Sequence, residues 1–134
     1  MNDAPPDLKV RTKAFALRVI RMYSKLPKNN IVAQVLGKQV LRSGASVDAN
    51  QREASRARSK AEFISKTGDG LKEIEETDYW LELLVDSGCV PSERMTELLD
   101  ETSPSSSRLI KKPKLEGKTM SHRIPTLQPL AFSP

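Results

Sequence analysis

The sequence predicts an all-α protein of four helices, the fourth of them short. Three observations carry this prediction. Leu, Val, Ala, Lys, Arg and Glu dominate while aromatics make up only 4% of the chain, which favours helices over strands. Apolar residues recur at steps of three and four through several long stretches, and proline or glycine separates those stretches. The length of 134 residues suits one domain with a modest core. The expected organisation is a flexible arm over 1–7, the bundle over 8–102, and a disordered basic tail over 103–134.

Pro5 and Pro6 mark the arm. The first helix is expected over 9–26 and ends before Pro27, which biases its neighbour away from helical angles. Phe15, Val19, Met22 and Leu26 form its apolar stripe, widened by Ala16, Ile20 and Tyr23. Arg11, Arg18, Arg21, Lys25 and Lys28 follow the same stepping on another side, with no interleaved acid to relieve their repulsion.

After a short turn, Asn29 or Asn30 caps a second helix reaching Arg58. Ile31, Val32, Val35, Leu36 and Val40 open it with apolar packing. Further on, Gln39, Ser43, Ser46 or Val47, Asn50, Ala54 and Ala57 continue a face of small and polar residues. Such a face lets another helix come close, and Ser43 and Asn50 then need hydrogen-bond partners. Gly44 in mid-helix costs about 1 kcal/mol against alanine, which points to close backbone packing. Lys38, Arg42, Ala45, Ala49, Arg52 and Arg56 gather on the neighbouring face.

Ser59 and Glu62 have the spacing of a capping box, so a third helix is expected over 59–87. Ile64, Thr67, Leu71, Ile74, Asp78, Leu81 and Val85 form its heptad line, flanked by Thr77, Trp80 and Leu84. Asp78 conflicts with that line and is expected at an edge or beside a cation. Gly88 suits the position just past a helix end, and Pro91 the first position of a fourth helix running to Thr102. The run SPSSS at 103–107 stops the pattern; from Arg108 onward isolated apolar residues lack periodicity, which predicts the tail.

The net charge of +5 conceals a strong polarity. Residues 1–60 hold 13 Lys/Arg against 4 Asp/Glu, residues 61–102 hold 3 against 12, and residues 103–134 hold 6 against 1. Two explanations stay open: attraction between neighbouring helices or subunits, and a basic surface for nucleic-acid phosphates.

Catalytic constellations are not found. The single histidine, His122, falls in the tail, so a Ser–His or Cys–His pair lacks a scaffold. Glu73, Glu75, Glu76, Asp78 and Glu82 read as a solvated acidic face, because carboxylate di-metal bundles also use histidines. The single cysteine, Cys89, reads as an inert structural thiol and fits a reducing, cytoplasmic setting. Neither a membrane span nor a secretory signal is expected, and neither cofactor nor metal.

RTKAFALRVIRMYSKLP, VLGKQVLRSGASVDANQREASRARSKAEFISK and LKEIEETDYWLELLVDSG, in that order and spacing, resemble a family of small four-helix-bundle proteins. These are encoded in intervening sequences of bacterial large-subunit ribosomal RNA genes, and the accessory variability determinant of diversity-generating retroelements shares the fold. The similarity covers about 8–102. It implies an antiparallel up-down four-helix bundle assembled as a ring-like homopentamer, with a basic, nucleic-acid-binding surface and no enzymatic activity. The chain departs from the family pattern at Asp48 and Gln51, where glycine and tyrosine are usual, and at SPSSSRLIKKPKLEG, where members run a longer fourth helix.

The expected function is therefore non-enzymatic binding of structured RNA or DNA by a homo-oligomer. The phosphate contacts are assigned to Arg11, Arg18, Arg21 and Lys25 on the first helix and to Lys38, Arg42, Arg52, Arg56 and Arg58 on the second. The alternative is a protein-binding assembly or adaptor module, for example for a reverse transcriptase, whose basic face serves subunit contacts.

Overall fold

A computed structural model describes residues 7–103 together with 109–110. Its helices are α1 (Leu8–Ser24), α2 (Ile31–Ser55) and α3 (Lys60–Asp86); a 3-10 turn (Ser92–Met95) leads into α4 (Thr96–Thr102). α1 packs along α2 and α2 along α3, while the short α4 closes the bundle between α3 and α1. The expected four-helix arrangement and the abbreviated fourth helix are both present. Residues 1–6, 104–108 and 111–134, which hold most of the expected arm and tail, lie outside the described residues.

The boundaries follow from local chemistry. The Asn30 side chain accepts the Ala33 amide at 3.0 Å and starts α2; the Ser59 hydroxyl accepts the Glu62 amide at 3.0 Å and starts α3. The reciprocal arm of that box differs from expectation, since the Glu62 carboxylate accepts the amide of Arg58 and not that of Ser59. Gly88 takes a φ of 82°, a left-handed conformation that turns the chain out of α3.

Phe15, Val19, Val40, Val47, Leu81, Leu84 and Met95 are fully enclosed and form the centre of the core. The buried line of α2 runs through Ala33, Gly37, Val40, Ser43, Gly44, Val47, Gln51 and Ala54. It is rotated from the expected stripe, leaving Gln39, Ser46 and Asn50 only half-buried at its flank. The cause is α1, which approaches α2 over Gly37 and Gly44. A Cβ at Gly37 would lie 2.9 Å from the Tyr23 ring, and one at Gly44 3.0 Å from Val19. On α3 the buried line likewise shifts toward Gly70, Thr77 and Leu84, the side that meets α2.

Asp78 corrects the expectation of an edge position or a cationic partner. It lies half-buried beneath α4 and accepts the Thr102 hydroxyl at 2.8 Å. Burial pushes its carboxyl above the ordinary range, partly offset by hydrogen bonds from Thr102 and Glu82.

A second correction concerns the region past α4. Leu109 and Ile110, expected in an unpacked tail, are each only 3% exposed. The Arg11 guanidinium donates to the Leu109 carbonyl at 2.8 Å, and Ile110 sits over Gly70. Because α4 ends after seven residues, the groove between α1 and α3 stays open beyond it. Two apolar side chains without helical spacing are enough to fill that space, and periodicity could not announce them.

Candidate nucleic-acid interface

The nine cations assigned to phosphate binding do not form one continuous face. α2 separates the turn after α1 from the turn before α3 by 25 residues, or roughly 37 Å of helix. Arg18, Arg21 and Lys25 stand at one end, Arg56 and Arg58 at the other, with Lys38, Arg42 and Arg52 between them and Arg11 near the start of α1.

Several of these cations are engaged inside the bundle. Arg18 grips the Glu101 carboxylate of α4 through two nitrogens, with Nε at 3.1 Å, and Glu97 lies 4.0 Å away. The hydrogen bond to Glu101 raises the Arg18 pKa against the opposing effect of burial. Arg42 bridges α2 to α3: it pairs with Glu76, lies 3.9 Å from Glu73, and takes the Gln39 amide oxygen at 3.2 Å. Glu76 also accepts the Trp80 indole N–H at 3.1 Å, so this carboxylate joins the Arg42 and Trp80 side chains. Arg52 pairs with Asp48 at 3.5 Å, one turn back on α2. The same Asp48 accepts the Thr12 hydroxyl of α1 at 2.9 Å, so the acid within the basic helix has a structural task.

Part of the charge polarity thus joins helices, through Arg18 and Arg42. α1 and α2 reach toward acids of α4 and α3, as the first explanation of that polarity requires. What is left over defines the candidate interface. The side chains of Arg21, Lys25, Lys38, Arg56 and Arg58 have no carboxylate partner among the described residues, and all five are exposed.

Four of these cations, all but Lys38, line two concavities. At the α2–α3 turn, a shallow recess of about 460 Å³ is lined by Arg56 and Arg58 together with Glu53, Glu62 and Lys66. Its charge is mixed, and Lys66 is already held by Glu53 at 2.8 Å. At the other end, a groove of about 990 Å³ runs between the last turns of α1 and the 3-10 turn before α4. Arg21 and Lys25 line one wall and Arg94 the other; Met22, Leu26, Val90 and Leu98 contribute an apolar floor.

Arg94 is absent from the nine residues assigned from the sequence. Its signal was weak: it is the one Lys/Arg between 91 and 102, in a stretch otherwise rich in acids. Only the packing of α4 against α1 brings it opposite Arg21. Cys89 also borders this groove, half-buried, with the Ser87 hydroxyl at 3.3 Å from its sulfur.

The architecture defines a class: a small all-α bundle of four helices with exposed cations on its surface. The chain belongs to the 23S rRNA-intervening sequence protein family, whose model matches residues 7–111. It is similar to the crystal structure of a protein of unknown function from the S23 ribosomal protein family of Bacteroides thetaiotaomicron. That likeness has 38% identity and a TM-score of 0.67, covering 77% of this chain and 94% of that one. Among curated proteins nothing matches. The family match includes Leu109 and Ile110, so the segment that completes the core lies within the shared region. Among the described residues, no helix is long and apolar enough to cross a membrane.

Proposed function

We infer that this bundle is a non-enzymatic, oligomeric protein that binds structured RNA or DNA through phosphate contacts. The observation that carries this reading is the set of exposed cations left without acids after the helix-joining pairs are formed. Like charges left without acids repel their neighbours, and a polyanion relieves that repulsion while releasing its counterions. Arg21, Lys25, Lys38, Arg56 and Arg58 are the phosphate-contacting residues in this reading. Arg18 and Arg42 hold helices together, and Arg52 supports Asp48.

Binding to a labelled structured RNA, measured across salt concentrations, tests the reading. Replacing Arg21 and Lys25 together by glutamine should weaken binding on all sequences alike and lower the salt slope by about two. An unchanged slope would remove these residues from the interface.

Self-association belongs to the same proposal. Ile31, Val32 and Val35 at the start of α2 are 76%, 50% and 55% exposed, an apolar patch of the kind that marks contact between proteins. A homo-oligomer, with the ring of five implied by the family resemblance as the specific form, would cover it. The same patch favours the second reading, an adaptor that docks a protein such as a reverse transcriptase. Cytoplasmic residence is proposed on the single cysteine and on the nature of the ligand.

A further inference from the structure

We propose that the groove between α1 and the 3-10 turn takes unpaired nucleotides, so that the protein prefers single-stranded or looped nucleic acid over a continuous duplex. This rests on the nucleic-acid reading above and narrows it to a strand type and a seat. The first support is placement. Arg21 and Lys25, four residues apart on one face of α1, look across the groove at Arg94, and none of the three has a carboxylate partner among the described residues. Glu97 also lines the groove, 4.0 Å from Arg18, but the lining cations outnumber it and the walls are net positive. Such walls surround a strand, whereas a duplex presents phosphates on a broad convex cylinder that can lie only along the rim.

The second support is the floor. Beneath these cations Met22 is half-buried, and the core side chains Leu26, Val90 and Leu98 show only their edges to the groove. An unstacked base has an apolar face to bury there, and the planar guanidinium groups of Arg21 and Arg94 are suitable surfaces for it to stack against. In a duplex the same base faces are already covered by their neighbours. A positively charged groove combined with surfaces that accept bases is the arrangement by which proteins hold single strands. With a volume of about 990 Å³, the space admits a short run of nucleotides and no paired helix.

The full chain is tested against four labelled probes of equal length, about twelve nucleotides each: oligothymidylate, oligouridylate, a duplex, and an abasic deoxyribose-phosphate strand. Both base-bearing single strands should bind about ten-fold more tightly than the duplex and the abasic strand. Arg94→Gln should bring the single strands down toward the duplex level while changing duplex binding little; Arg21→Gln, at a phosphate contact, should weaken the duplex as well but the single strands more. Both positions are exposed, so a circular-dichroism melt should match the parent in each variant.

Equal affinity for abasic and base-bearing strands would overturn the proposal, leaving the groove to simple phosphate contact or to an acidic segment of a protein. Single-strand preference that survives both substitutions would overturn the seat. Duplex binding without any preference would defeat this inference alone, and failure of all four probes would defeat the preceding section as well.

Discussion

The hydroxyls of Ser43 and Thr77 lie 2.7 Å apart at the centre of the α2–α3 contact. Each also reaches a backbone carbonyl one turn back, Gln39 at 2.9 Å and Glu73 at 2.7 Å. Two hydroxyl protons thus serve three short contacts, so one carbonyl goes without a side-chain donor whenever the inter-helix bond is made. Ser43 is completely buried, and the space around it is matched to a single hydroxymethyl group.

Ser43→Leu should therefore overpack this contact and cost roughly 1–3 kcal/mol. Thr77→Val removes only the hydroxyl at nearly constant shape and should cost less, about 1 kcal/mol, because Ser43 keeps the Gln39 carbonyl. Urea denaturation of both variants checks the order; a Ser43→Leu protein as stable as the parent would mean the two helices are not in close contact there.

The helical glycines should respond in opposite directions. A Cβ at Gly68 meets nothing within 4 Å, so Gly68→Ala should stabilise by up to about 1 kcal/mol through helix propensity alone. At Gly37 the same methyl group would press on Leu26 and on the Tyr23 ring, whose hydroxyl is tied to Gln34 at 3.1 Å. Gly37→Ala should lose about 1–3 kcal/mol despite the gain in propensity. Thermal melts of the pair would reveal the contrast.

Helix existence, order and approximate ends were legible because core spacing and capping residues are local properties. The rotation of α2 was not legible, since its closest contact is made over Gly37 and Gly44, which have no side chain for a hydrophobic pattern to register. The division of labour among the cations was hidden for another reason. Arg18 and Glu101 are 83 residues apart, and Arg42 and Glu76 are 34 apart, so their pairing depends on how neighbouring helices align. Leu109 and Ile110 were missed because they fill a space that the early end of α4 creates, without a periodicity of their own.

Arg18 provides a test of that division. Its side chain is 29% exposed and that of Glu101 12%, so Arg18→Gln leaves a largely enclosed carboxylate without its partner. A loss of about 1–3 kcal/mol of stability is expected, with nucleic-acid affinity at low temperature nearly unchanged. Arg56→Gln should do the reverse, weakening binding and leaving the melt where it was. Comparable binding losses in both variants would contradict the assignment.

Mild acidification should stabilise the bundle through three carboxyls. Burial raises the pKa values of Glu73, Asp78 and Glu82 in the folded state. A raised folded pKa means that the native state binds more protons than the unfolded chain. Each group's contribution is therefore most favourable below its unfolded pKa and declines as pH rises through the folded value. Stability should accordingly rise as pH falls from neutral toward the ordinary carboxylate range. Asp78→Asn retains an oxygen acceptor for Thr102 and should flatten this dependence while leaving the protein at least as stable at neutral pH. A steeper pH profile in that variant would refute the assignment.

Oligomeric state is checked by light scattering of the full chain at micromolar concentration, where a multimer is expected. Replacing Val32 and Val35 together by serine should shift it toward smaller species if the exposed start of α2 is the contact.

The seat of Leu109 and Ile110 bears on how the chain is made. Successive helices meet through contacts of short or moderate sequence separation, which form rapidly. Arg11 and Leu109 are 98 residues apart, so their bond depends on a segment synthesised only after all four helices. Until that segment emerges, the four helices leave an apolar groove that nothing past α4 has yet sealed. Premature termination in the serine-rich run, or proteolytic clipping there, would thus yield a chain with every helix present and its core still uncovered, a substrate for chaperones and proteases rather than a smaller working protein.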